Sequence, residues 1–219
     1  MTNSNKAFLF DLNGTMIDDM QYHIKAWHRI LNELGANLSL ERMKEECYGK
    51  NDELLERMFP GRFTEAEIKE MSFEKERQYQ LQYKPHLALL PGLNEFLSRA
   101  KKQSIQMAIG SAAIMFNIDF VLDNLDIRSF FDIIVSADEV NISKPDPETY
   151  LLCSTGLNAD PAGCIVFEDS PKGVQSALLA GMKAVVITTL HEAHEFDEYR
   201  NVLMCVSDYT DKQLDTLFL

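Results

Sequence analysis

What the chain has little of narrows its function before any motif is read. Its four cysteines, Cys47, Cys153, Cys164 and Cys205, are widely spaced, with no Cys-x-x-Cys pair and no histidine at zinc spacing. This argues against a disulfide scaffold or a structural zinc site and reads as reduced thiols in a cytoplasmic protein. No apolar run reaches the length of a membrane span, and the polar start, Met1 to Lys6, lacks the apolar stretch of a signal peptide. Basic clusters are missing too: 21 Lys and Arg stand against 34 Asp and Glu, a formal charge of −13. Neither nucleic acid nor membrane is therefore an expected partner. There is no internal repeat and no low-complexity tract, and nothing points to an obligate protein partner. An acidic protein that handles an anionic ligand needs local positive charge, here from a metal and one or two lysines.

What is present suits one large domain or a core with an insertion: 219 residues, 46% of them hydrophobic. Ala7 to Phe10 is a short apolar run without alternation, the pattern of a buried strand, and it ends abruptly in Asp11-Leu12-Asn13-Gly14-Thr15. Gly14 lets the backbone turn sharply, which frees N–H groups to face an anion. A helix follows from about Met20 to Leu34, with Asp18 or Asp19 as its cap, then shorter ones over Leu40–Tyr48 and Glu53–Phe59. Thr64 with Glu67 forms a capping box that opens a long charged helix to about Tyr83. After Leu89-Leu90-Pro91-Gly92 strand and helix alternate, with strands at Ile105–Ile109, Asp132–Val135, Cys164–Phe167, Ala184–Thr188 and Val202–Val206. The expected fold is α/β: a Rossmann-like doubly wound parallel sheet, residues 1–17 and 87–219, with an α-helical cap inserted at 18–86.

Asp11, Ser111, Lys144, Glu168 and Asp169 each come just after a strand or in the loop beyond one. Parallel strands point their C-terminal ends to one edge, where such sheets bind ligands, so these residues should converge. Taken singly, Lys144 reads as a solvated lysine, Ser111 as a residue at a helix start, and Asp169-Ser170 as the cap of the helix opened by Pro171. Taken together they suit phosphoryl transfer with Mg²⁺. Asp11, a backbone carbonyl and Asp169 supply oxygen ligands, Asp11 is the nucleophile, and Lys144 and Ser111 hold phosphate oxygens.

Asp11-Leu12-Asn13-Gly14-Thr15, Ser111, Lys144-Pro145 and Glu168-Asp169-Ser170 with Gly173 resemble, in order and spacing, the four motifs of the haloacid dehalogenase superfamily. The cap position, together with Asp18, Tyr22-His23 and Ala26-Trp27, resembles its beta-phosphoglucomutase and sugar-phosphate phosphatase branch. The resemblance implies a Mg²⁺-dependent enzyme of small phosphorylated metabolites that forms an aspartyl-phosphate on Asp11. It implies Ser111, Ala112 and Lys144 on the phosphate, and Asp11, Asn13, Glu168 and Asp169 at the metal. His23, Lys50 and Lys75 are candidate substrate-binding residues of the cap.

Two departures stand out. The branch carries an aspartate as general acid and base two residues after the nucleophile, where this chain has Asn13; a carboxamide cannot shuttle a proton. The substitution suits an engineered trap, or a native slow or repurposed enzyme whose water is activated elsewhere, for example by His23, or a non-catalytic pseudoenzyme that binds phosphometabolites. The cap stretch Gly49-Lys50-Asn51-Asp52 also lacks the arginine that grips a distal phosphate, and Lys50 or Lys75 is a poorer, non-bidentate substitute. A phosphatase is thus expected over a phosphomutase. A dehalogenase would need no metal and leaves Glu168-Asp169 unexplained.

Overall fold

The computed structural model describes residues 6–219. They divide into two compact units, one running up to Asp18 and resuming over Ala88–Leu219, the other Asp19–Leu87.

The first unit is built on a six-stranded, all-parallel sheet. Its strands are β1 (Ala7–Phe10), β2 (Gln106–Gly110), β3 (Ile133–Val135), β4 (Cys164–Glu168), β5 (Lys183–Ile187) and β6 (Val202–Val206). Their order, β3-β2-β1-β4-β5-β6, is doubly wound, with the chain's first strand at the centre and the direction of winding reversing beside it. Every residue of β1 and β4 is buried, as expected for central parallel strands covered on both faces. The two faces differ. Ala7 and Leu9 look into an aliphatic cluster with Val166, Val174, Val186 and Tyr150. Phe8 and Phe10 look the other way, into aromatic rings. Phe10 stacks on Phe167 with centroids 4.6 Å apart, and Phe8, Phe96, Tyr209 and Phe218 close the group.

Four helices flank this sheet: α5 (Leu93–Lys102), α6 (Met115–Asn124), α7 (Glu148–Gly156) and α8 (Pro171–Leu179). The helix expected from Leu89 begins only at Leu93. Gly92, at φ +78, turns the chain in the left-handed region, and a Cβ there would stand 2.7 Å from the backbone of Tyr209.

The second unit holds only helices: α1 (Met20–Glu33), α2 (Leu40–Glu46), α3 (Asn51–Met58) and α4 (Glu65–Tyr83), with a short 3₁₀ turn after α4. α4 packs on α1 and α3, and α2 on α1. Thr64 caps α4 as its capping box predicts: Thr64 N–H donates to Glu67 Oε2 at 2.8 Å and Thr64 Oγ1 accepts from Glu67 N–H. Among the described residues no helix is long and apolar enough to cross a membrane, and all four cysteines are free thiols.

Because Phe10 joins both halves of the aromatic layer, Phe10→Ala should lower the stability of the core by about 3–5 kcal/mol. Urea denaturation followed by far-UV ellipticity checks this; a loss below about 1 kcal/mol contradicts the packing described.

Candidate active site

β1, β2 and β4 are adjacent and parallel, with Phe10 opposite Ile109 on one side and Phe167 on the other, so their C-terminal ends share one edge. Asp11, Ser111, Glu168 and Asp169 all stand at this edge. Asp11 continues the ladder, its N–H donating to Phe167 O at 3.0 Å. Lys144 arrives from the loop between β3 and α7. That loop is held by Glu148, whose carboxylate accepts from Asn141 N–H, Ile142 N–H and the Asn141 side chain at 2.7–3.0 Å. The Lys144–Pro145 peptide bond is cis.

Lys144 Nζ donates to Asp11 Oδ1 and to Glu168 Oε1, both at 2.7 Å. Asp11, Glu168 and Asp169 each bring a carboxylate oxygen within 4.8 Å of the others, and all four residues are buried. One further member, which no motif announces, is Tyr150 on α7, whose hydroxyl donates to Glu168 Oε1 at 2.7 Å. A tyrosine inside a helix reads as core, and what separates it from buried Tyr79 and Tyr209 is that its hydroxyl partner is a carboxylate of this site.

The titration of these groups follows from crowding. Burial pushes the Asp11 carboxyl up to about 7; the Lys144 charge opposes this, and the Glu168 charge adds to it. Asp169 is pushed well above the carboxylate range by burial first, then by Glu168 and Asp11. Burial also opposes ionisation of Glu168, yet Lys144 and the hydrogen bonds from Tyr150 and Ser170 hold it low. Lys144 is desolvated as well, and its two carboxylate partners still raise it. Three buried carboxylates against one ammonium is an excess of negative charge that a divalent cation would relieve.

The Glu168 carboxylate has little room for such a cation. Oε1 serves Lys144 and Tyr150, while Oε2 accepts from Asp169 N–H, Ser170 N–H and Ser170 Oγ at 3.0–3.1 Å. Gly173 makes this possible, since a Cβ there would fall on the Glu168 carboxyl group. Ser170 caps α8, its Oγ accepting from Gly173 N–H at 3.1 Å.

The turn after Asp11 departs from expectation. Gly14 does take a left-handed φ of +74. The amides of Gly14, Thr15 and Met16, however, do not face outward. They donate to Ile17 O, Leu12 O and Leu12 O, closing a one-turn coil, so they are not the anion cradle expected of them. Thr189 Oγ1 donates to Gly14 O at 2.5 Å and Tyr209 OH to Thr15 O at 3.2 Å, fixing that coil from two sides. Asn13 pairs with Ile17 in an isolated bridge and is partly exposed. Ser111 N–H donates to Val135 O, and its hydroxyl accepts from Ala113 N–H at 3.1 Å; Ala112 lies between them, half-buried.

His23, Lys50 and Lys75 lie in the helical unit. Lys75 is 2% exposed, against the usual fate of a lysine on a charged helix. Its Nζ donates to His23 Nδ1 at 2.7 Å and to Glu76 Oε1 at 2.9 Å. Because an ammonium only donates, Nδ1 accepts and the Nε2–H faces Asp19 Oδ2 at 3.2 Å. Tyr79 OH also donates to Asp19, so this carboxylate is drawn from α1's first turn into the network and makes no capping bond. Asn51 completes the group by donating to Glu76 Oε1 at 2.7 Å. Lys50 is the N-cap residue of α3, its N–H donating to Glu53 Oε2 at 2.9 Å.

The family described as haloacid dehalogenase-like hydrolase matches residues 8–187. The chain is 33% identical over 188 residues to a beta-phosphoglucomutase of Bacillus subtilis (strain 168), covering 82% of each protein. It is 28% identical over 184 residues to a fructose-1-phosphate phosphatase of Escherichia coli (strain K12), covering 84% of this chain and 97% of that one. Among solved structures, a beta-phosphoglucomutase from Clostridium difficile matches with a TM-score of 0.84 at 26% identity, over 97% of this chain and 95% of that chain.

Glu76 is buried, which by itself opposes its charge, yet the Lys75 charge and the hydrogen bonds from Asn51 and Lys75 pull its carboxyl down to about 2 from 4.5. A lowered carboxyl contributes stability above its unfolded value that is lost as pH falls toward the folded one, here between about 4.5 and 2. The difference corresponds to about 3 kcal/mol. Glu76→Gln should therefore destabilise the helical unit at neutral pH and flatten its stability between pH 5 and pH 3. Urea unfolding read through the fluorescence of Trp27, the single tryptophan and buried on α1, checks both; an unchanged slope contradicts the charge assignment.

Proposed function

This chain belongs to the haloacid dehalogenase-like hydrolases, as an enzyme of their phosphatase and phosphomutase class, and on that footing we propose that it moves a phosphoryl group from a small phosphorylated metabolite to Asp11 and then to water. The observation that carries this reading is the Lys144 ammonium held between Asp11 and Glu168, with Asp169 beside them, at the ligand-binding edge of a parallel sheet. A sugar phosphate is the substrate class, supported by relatives whose names are those of a fructose-1-phosphate phosphatase and a beta-phosphoglucomutase.

The donor set fits Mg²⁺: hard oxygen ligands, buried, with an excess of negative charge. Asp11 and Asp169 would hold it, with the backbone carbonyl of Asn13. Glu168 acts one step back, fixing Lys144 and the Asp169 amide. When bound, Mg²⁺ would neutralise phosphate charge and orient the group for in-line attack.

One Asp11 oxygen attacks phosphorus, the bond to the leaving oxygen breaks, and the phosphoryl group becomes an acyl phosphate on the carboxylate. Lys144 offsets the negative charge that spreads over the transferring oxygens, and Ser111 orients one of them. Asn13 donates a hydrogen bond to the leaving oxygen and gives it no proton. Good leaving groups therefore react, and the acyl phosphate is long-lived. His23 does not replace the missing acid and base, because Lys75 and Asp19 engage both of its nitrogens. Lys75 is likewise committed to His23 and Glu76, which favours a phosphatase over a mutase that must grip a second phosphate. Asn13 also suits a pseudoenzyme that binds phosphometabolites without turnover.

Incubated with acetyl phosphate and Mg²⁺, the protein should gain one phosphoryl group by intact mass, and Asp11→Asn should gain none. No gain by the unmodified chain overturns the reading. In a sugar-phosphate screen, Asn13→Asp should release phosphate at least about 10²-fold faster than the unmodified chain. Equal, undetectable rates for both would favour the pseudoenzyme.

A further inference from the structure

Tyr150 is wholly buried on α7 and takes no part in the steps above. Its hydroxyl and the Lys144 ammonium donate to the same oxygen, Glu168 Oε1, each at 2.7 Å. Its ring also faces that ammonium, with Nζ 4.7 Å from the centroid, a cation–π distance. Close approach of α7 to β2 brings it there. Gly110 allows the approach, because a Cβ on it would stand 2.9 Å from Cys153 Sγ and 3.2 Å from Tyr150 Cδ1.

Lys144 is shared between two carboxylates, and only one of them is the nucleophile. Left to Glu168 alone, the ammonium would be drawn toward that carboxylate and away from Asp11, and its charge would be neutralised where no phosphate reacts. A phenol hydroxyl on Oε1 fills an acceptor position and disperses part of the Glu168 charge, while the ring attracts the ammonium from a third side.

We propose that Tyr150 is a positioning residue that keeps Lys144 on Asp11, by sharing Glu168 Oε1 with it and by offering it the face of its ring. The kinetic consequence rests on the phosphoryl-transfer reading; the positioning does not. Plain packing is the competing account, and phenylalanine would satisfy it, since it fills the same space without the hydroxyl.

Two measurements on the full chain test this. The first is the rate of phospho-Asp11 formation from acetyl phosphate with Mg²⁺, by quenched intact mass. The second, needing no turnover and no metal, is the ¹H–¹⁵N signal of the Lys144 ammonium, assigned with Lys144→Arg. Tyr150→Phe should lower the maximal rate about 10-fold, with the half-saturating acetyl phosphate changed less than about twofold. Tyr150→Leu, which loses the ring as well, should lower it about 100-fold. In Tyr150→Phe the ammonium signal should shift and broaden while the melting temperature stays near that of the unmodified chain. An unchanged signal in Tyr150→Phe overturns the proposal whatever the rates. A shifted signal in a protein that never gains phosphate overturns the function and upholds the positioning role.

Discussion

A single ammonium surrounded by three carboxylates, all out of water, is the constraint around which the sheet edge is arranged. Desolvating such charges costs several kcal/mol each unless every one has partners. Lys144 spans Asp11 and Glu168, but it balances only one of the three negative charges. Burial first, and then the uncompensated charge of their neighbours, raise the Asp11 and Asp169 carboxyls, while Glu168, served by five donors, is held low. The imbalance is what makes the place suitable for a divalent ion and a phosphate, which bring charges of both signs.

Keeping that arrangement requires support from outside the motifs. Glu148 ties down the loop that delivers Lys144, and Gly173 leaves room for the Glu168 carboxyl. Thr189 and Tyr209 pin the coil after Asp11 by its carbonyls. Each acts through the backbone or through one atom of a charged group. Their common effect is to fix where a few oxygens point, and fixed dipoles and charges are how such a site stabilises a transferring phosphate.

The helical unit solves a similar problem differently. Asp19, His23, Lys75 and Glu76 are also buried together, yet donors and acceptors match: Lys75 gives to His23 and Glu76, His23 and Tyr79 give to Asp19, and Asn51 gives to Glu76. A network satisfied in this way holds helices in register, whereas an unsatisfied one invites a ligand. The contrast explains why the same residue types serve as scaffold in one unit and as candidate machinery in the other.

The parallel, doubly wound sheet and the placing of Asp11, Ser111 and Glu168-Asp169 at one of its edges were legible in the residues. Apolar runs such as Ala7–Phe10 are short and uninterrupted only when both faces are covered, and parallel strands must end on one edge. The helix limit at Thr64 was readable as well, because capping is local chemistry, whereas the helix expected from Leu89 starts only after the left-handed turn at Gly92. What the chain alone left open were contacts between residues far apart in it. Nothing around Tyr150 announces a hydroxyl aimed at Glu168, and nothing around Lys75 announces that it is buried, since in both cases the partner comes from another element. The partners of the Gly14, Thr15 and Met16 amides were open for the same reason: whether they face an anion or close on Leu12 and Ile17 depends on how the turn is folded. Periodicity and motif spacing determine which side chains reach an edge; the number of hydrogen-bond partners at each atom is set only when the elements pack.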